Sequence, residues 1–250
     1  MSCVIPLIYK EFTEDFFSSR GAAVYLVGCG ILSVFSLLLV SNTELSLLDN
    51  AQAVYMMGAI IIGLALLIAV ILGSDGFAGE RDRETLEIML ITPVRPVDIA
   101  MAKLAGIFFS WLIVFALSIP YLWAVGSTGQ NLWPAFIYLF IAGSFLVLIF
   151  GGFMLGLSAR MKTFKGALSI GLTLFLLSAG PIIIGPSLRQ STIGRFIDRL
   201  NPFGGALNMI DSVVVDSQNI FFQLPHLAVL ILYTVAMFWF LYAMTRRVEL

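Results

Sequence analysis

From Leu104 to Ala159 the chain carries no acidic or basic side chain. No ordinary water-soluble domain contains such a stretch, and it exceeds the roughly 20 apolar residues that one bilayer crossing needs. It divides at Gly126-Ser-Thr-Gly-Gln-Asn131, a polar, turn-forming cluster. Trp123 and Trp133 flank that cluster, as the aromatic belt at a membrane interface would. Two membrane spans joined by a short loop are the natural reading.

The rest of the chain follows suit. Its 250 residues are 60% apolar and 12% charged, against ~25% charge in a typical soluble domain. Six uncharged candidates appear, at Gly21–Ser41, Ala53–Ser74, Leu104–Val125, Pro134–Leu157, Gly166–Pro186 and His226–Thr245. The first apolar run begins only at Gly21, after a charged amphipathic lead, and has full spanning length, so no cleavable signal peptide is expected. The fold class is therefore an all-α polytopic membrane protein, with residues 1–250 forming one transmembrane domain.

Orientation follows from Lys and Arg, which favour the cytoplasmic side of short loops. Lys10 and Arg20 precede the first span. Arg81, Arg83, Arg95 and Lys103 lie between the second and third, Arg160, Lys162 and Lys165 between the fourth and fifth, and Arg246 and Arg247 after the sixth. These eleven of fourteen basic residues fall on one side. Asn42–Gln52 and Gly126–Trp133, the short loops of the other face, have none. Both termini are expected in the cytoplasm, with the chain in the cytoplasmic (inner) membrane.

Missing chemistry narrows function further. The net charge of −1 gives no footprint for nucleic acid. Cys3 and Cys29 are too few and too badly placed for a disulfide framework or metal site. The one histidine, His226, has no His-Glu-x-x-His companion, and there is no Gly-x-Ser-x-Gly motif; the chain is not expected to be an enzyme. The spans contain no Asp, Glu, Lys or Arg to act as an ion or proton relay. Lys10, Lys103, Lys162 and Lys165 all lack the glycine that precedes a phosphate-binding loop lysine. Energy for active transport would come from another polypeptide, and no cofactor is expected in this chain.

Charge concentrates instead in one place. Asp75–Lys103 holds ten of the 29 charged residues. On a helix over Glu80–Leu90, Leu86, Met89 and Leu90 share one face, while Glu80, Glu84 and Glu87 form an acidic stripe on another. Pro93 and Pro96 would stop that helix, and Asp98 would cap the next. The segment is longer than two neighbouring spans need, and Glu80 and Glu84 are like charges at i,i+4. A partner offering an apolar cleft and basic groups accounts for both faces.

Two further segments have their own character. Ile5–Ser19 interleaves Ile5, Leu7, Ile8, Phe12, Phe16 and Phe17 with Lys10, Glu11, Glu14 and Asp15, as a helix lying in the interface would. Ser187–Pro225, on the outer side, contains Asn201-Pro-Phe-Gly-Gly205 and then an apolar periodic stretch too short to span. A short helix dipping back into the outer leaflet fits it.

Phe77-Ala-Gly-Glu-Arg-Asp-Arg-Glu-Thr-Leu-Glu-Ile-Met-Leu-Ile-Thr-Pro-Val-Arg-Pro96, followed by Lys103, resembles the cytoplasmic signature of type-2 ATP-binding-cassette (ABC) exporter permeases. Members typically show Glu-Arg-Glu-x-Gly-Thr-Leu-Glu, then Thr/Ser-Pro and a later Lys. Glu80, Arg81, Thr85, Leu86, Glu87, Thr92, Pro93 and Lys103 match. Asp82 replaces the second Glu, and Glu84 stands where Gly is common. The lead helix, the six spans and Asn201-Pro202 before the last span extend the likeness over the whole chain.

That resemblance implies a permease paired with a second copy or a related subunit, twelve spans in all, and served by two cytoplasmic ABC ATPase subunits that bind ATP and Mg. Glu80, Arg81, Arg83, Glu84, Leu86, Glu87, Met89, Leu90 and Pro93, within a coupling segment at 75–103, would meet the ATPase. Residues 1–20 would lie along the inner leaflet. Asn201, Pro202 and Phe203, within a re-entrant outer segment at 187–225, would belong to an extracellular gate. Gly152-x-x-x-Gly156 is a candidate for close helix packing in the dimer. A stand-alone transporter or channel, and a non-transporting anchor that recruits an ATPase, are the alternatives. The substrate is not readable.

Overall fold

In lipid the backbone N–H and C=O groups find partners only in one another, so long apolar runs become helices. The structure, a computed structural model, describes residues 19–41, 50–86, 95–127, 129, 131–183, 200–218 and 223–246. Among them are seven helices and no strand: α1 (Ser19–Ser41), α2 (Asn50–Asp82), α3 (Pro96–Gly126), α4 (Leu132–Ser158), α5 (Phe164–Ile183), α6 (Pro202–Val214) and α7 (Leu224–Thr245). Five are long and apolar enough to cross a membrane: α1, α2, α3, α4 and α7. The apolar stretch of α5, Phe164–Gly180, is shorter. The lead helix expected within residues 5–19 lies outside the described residues up to residue 18.

Helix α2 is the axis of the bundle, packing on α3, α4, α5 and α6 as well as α1. Its tightest crossing is with α4. A Cβ added at Gly73 would come within 2.7 Å of the Gly151 carbonyl oxygen and 2.8 Å of the Met154 Cβ, so only glycine lets the two backbones touch there. Trp111 of α3 is 1% exposed; its ring fills the space beside Gly143, and its indole N–H donates to the Ser144 hydroxyl at 3.0 Å. Helix α1 rests mainly against α3 and leaves Leu26, Val27 and Leu37 exposed.

Several expectations change. The second span was read as Ala53–Ser74, but the helix continues to Asp82, 33 residues in all. At 1.5 Å per residue that is about 50 Å, well beyond a hydrocarbon core of about 30 Å. Helix α3 likewise starts at Pro96, before its apolar run. The excess length of Asp75–Lys103 is thus taken up largely by two projecting helix ends. Helix α2 ends at Asp82, Arg83 and Glu84 form a turn, and Leu86 is helical again, so the helix expected over Glu80–Leu90 is interrupted, with residues 87–90 outside the described residues.

Asp98 does not cap α3. Arg95 is the N-cap residue with no side-chain cap, Pro96 opens the helix, and Asp98 sits in the first turn. The proline fixes the entry, and the carboxylate favours the positive end of the helix dipole instead. Gly152 and Gly156, weighed as a dimer face, pack inside this chain: Gly152 lies against Met237 and Gly156 against Phe240 and Leu241 of α7.

Candidate functional site

Lys, Arg, Asp and Glu gather where α2, α4 and α7 end and where α3 and α5 begin. At this charged end α2 terminates through a specific hydrogen-bond pattern. The amide of Thr85 donates to the Glu80 carbonyl at 3.0 Å and that of Glu84 to the Arg81 carbonyl at 3.1 Å. Glu84 between them has φ 60, in the left-handed region. This is a Schellman reversal, whose left-handed position ordinarily belongs to glycine. Glu84 is exposed, so its carboxylate is carried outward on a turn instead of along a helix stripe.

The chain then folds back on itself. Glu80 Oε1 lies 3.6 Å from Lys103 Nζ on α3, and the Thr85 hydroxyl donates to Glu80 Oε2. Leu86, 6% exposed, is buried with Phe77, Ile99, Leu104, Leu155 and Leu241. Arg83 donates to both Asp75 oxygens at 3.0 Å along the outside of α2. Arg81 reaches across to the turn after α4, donating to the Met161 carbonyl and, at 3.4 Å, to that of Ala159.

Of the residues predicted to meet a partner, the structure therefore gathers Glu80, Arg81, Arg83, Glu84 and Leu86 around one reversal. Glu80, Arg81 and Leu86 make contacts within the chain, Arg83 does so with Asp75 from an exposed position, and Glu84 is exposed. Glu87, Met89, Leu90 and Pro93 lie outside the described residues. Lys103, Thr85 and Asp82 were not assigned to the site from sequence. Only the motif that groups Lys103 and Thr85 with Glu80 signalled them.

Residues 3–248 match the family described as ABC-2 family transporter protein. The chain belongs to the ABC-2 transporter family. It is thus the membrane permease component of an ABC transporter, in a family that implies an ATPase partner. Comparison with curated proteins gives no match. In this ABC-2 permease the family's common Gly position coincides with the left-handed residue of the reversal, here Glu84.

The opposite end of the ABC-2 permease holds α6. Asn201 caps it, with Oδ1 accepting from the Phe203 amide at 3.1 Å, and Pro202 opens the first turn. The same Asn201 donates through Nδ2 to the Ser178 carbonyl of α5 at 2.6 Å. Phe203 is buried and meets Phe175 of α5 edge-on, ring centroids 6.1 Å apart. At the other terminus of α6, Asn131 Nδ2 donates to the Val214 carbonyl at 2.8 Å and to the Ser217 hydroxyl at 3.0 Å. The Tyr233 hydroxyl donates to the Leu200 carbonyl at 2.7 Å. Tyr233 stands nine residues into α7, so about 13 Å from that helix's start. The apolar side of α6 is covered by α4, α7, α2 and α5.

Proposed function

We propose that this permease is the membrane subunit of an ABC exporter, moving its substrate outward with ATP hydrolysed in a separate ATPase subunit. The observation that carries the reading is the braced projection of α2 and α3. Helix α2 continues eight residues beyond Ser74, about 12 Å, and ends in a reversal held by Glu80, Lys103 and Thr85. That geometry supports a coupling role for the segment at 75–103, with Arg83 and Glu84 exposed beside the reversal; Glu87, Met89, Leu90 and Pro93 are assigned to the ATPase contact by the resemblance alone. Rigid transmission from such a lever to the spans is an ordinary mode of switching.

In the same reading the permease pairs with a second copy or a homologous subunit, and two ATPase subunits bind the ATP and Mg. Both termini and the charged end face the cytoplasm across the inner membrane. The basic residues of the described charged end, Arg81, Arg83, Arg95, Lys103, Arg160, Lys162, Lys165 and Arg246, support that orientation. Helix α5 serves as a sixth span. Helix α6, with its N-terminus level with Tyr233 and its C-terminus at the loop of Asn131, is a re-entrant element of an outer gate built on Asn201, Pro202 and Phe203.

The test is charge reversal at Glu84 and Glu87. The pair of substitutions Glu84→Lys and Glu87→Lys should weaken co-purification of the ATPase while leaving membrane insertion intact. Undiminished co-purification would remove the docking role. Substrate flux in vesicles lacking any ATPase would remove the exporter reading altogether.

A further inference from the structure

Arg81 and Asp82 are adjacent, of opposite sign, and address the opposed ends of two other helices. Arg81 places its guanidinium on the Ala159 and Met161 carbonyls, just beyond the C-terminus of α4. Asp82 accepts the Phe164 amide at 2.8 Å, the first N–H of α5. Each charge has the sign that the neighbouring helix dipole favours: a cation at a C-terminus and an anion at an N-terminus. Both also satisfy backbone groups that a helix leaves without an internal partner. The Phe77 amide adds a third link, donating to the buried Ser158 hydroxyl at 3.3 Å, and the backbones of α2 and α4 approach closely at Gly73 and Gly151.

We propose that Arg81 is a positioning residue that fastens the turn between α4 and α5 to the end of α2, so that both connections at the charged end travel as one body. A connection that merely joined two spans would need none of these bonds. With them, a displacement of the α2 end reaches α5 directly. Helix α5 in turn holds α6 through Ser178–Asn201 and Phe175–Phe203. One route from the charged end to the gate therefore runs through the α4–α5 turn, beside the direct packing of α2 and α4 on α6. The inference rests on the coupling reading of 75–103 for its functional consequence, but the fastening is a property of the permease alone.

Spin labels at Arg83, Lys162 and Ser127, all exposed positions, test it pairwise in the permease–ATPase complex, with Cys3 and Cys29 replaced by serine. A non-hydrolysable ATP analogue should shift the Ser127–Arg83 and Ser127–Lys162 distances together and leave Arg83–Lys162 unchanged. In Arg81→Gln the Arg83–Lys162 distribution should broaden, and the Lys162 label should lose its response while the Arg83 label keeps its own. Arg81→Lys, retaining one donor group, should fall between. Should Arg81→Gln fail to fold, Asp82→Ala removes the other fastening and should broaden the same distribution. An Arg83–Lys162 distance that changes with nucleotide in the unaltered protein overturns the proposal, as does an unaltered distribution in Arg81→Gln. If neither label responds to nucleotide yet Arg81→Gln broadens the distribution, the fastening stands and the coupling reading falls.

Discussion

Lys103 Nζ lies 3.6 Å from Glu80 Oε1, and the lysine side chain is only 7% exposed. A cation so placed depends on its partner, because removing one member of a largely buried pair strands the other in a poor solvent. Glu80→Leu should therefore destabilise the permease by about 3 kcal/mol. Lys103→Met should cost less, since Glu80 is 19% exposed and keeps the Thr85 hydroxyl. The double substitution should cost less than the sum of the two, read as unfolding midpoints in detergent. Strict additivity would show that the two charges do not interact.

Glu84 holds a left-handed conformation that costs a side-chain-bearing residue roughly 1 kcal/mol relative to glycine. Glu84→Gly should raise stability by about that amount, and Glu84→Val should lower it by more, because a β-branched chain tolerates the conformation least. The unfolding midpoint orders the three proteins Gly, Glu, Val from most to least stable. If Gly is no better than Glu, the reversal lacks the strain its φ of 60 implies.

Two glycines of α2 should respond oppositely to the same methyl group. At Gly73 the new Cβ meets the Gly151 carbonyl at 2.7 Å, and overpacking of this kind costs about 1–3 kcal/mol. At Gly63 nothing lies within 4 Å, and Gly→Ala inside a helix gains up to about 1 kcal/mol. Thermal unfolding of Gly73→Ala and Gly63→Ala should move in opposite directions. Equal shifts would mean that the α2–α4 crossing is looser than its geometry.

The helices themselves were largely legible, because apolar runs and the Gly126–Asn131 break answer to lipid and to turn chemistry, both local. The charged segment was legible as a place but not as a shape. Its amphipathic spacing suits a helix, and glutamate gives no sign of a left-handed turn; only the family's glycine at that position hints at one. The Glu80–Lys103 pair joins residues on different helices, which no helical period can show. Gly152 and Gly156 illustrate the same limit: spacing marks a face where backbones approach closely, while Met237 and Phe240, its actual neighbours, are supplied by the fold. The bond of Asn201 to the Ser178 carbonyl was equally out of reach, because it joins residues 23 apart on different elements.

Two of the bonds that hold the ends of α6 to the bundle, Asn201 to Ser178 and Asn131 to Val214, each join an amide to a carbonyl. Neither titrates in the physiological range, and ionic strength screens charges far more than it does such dipoles. The Arg83–Asp75 pair at the charged end, with Arg83 51% exposed, is open to that screening. Salt is therefore a selective tool on this permease: it loosens surface ion pairs where force would enter and spares the asparagine tethers where the path would open.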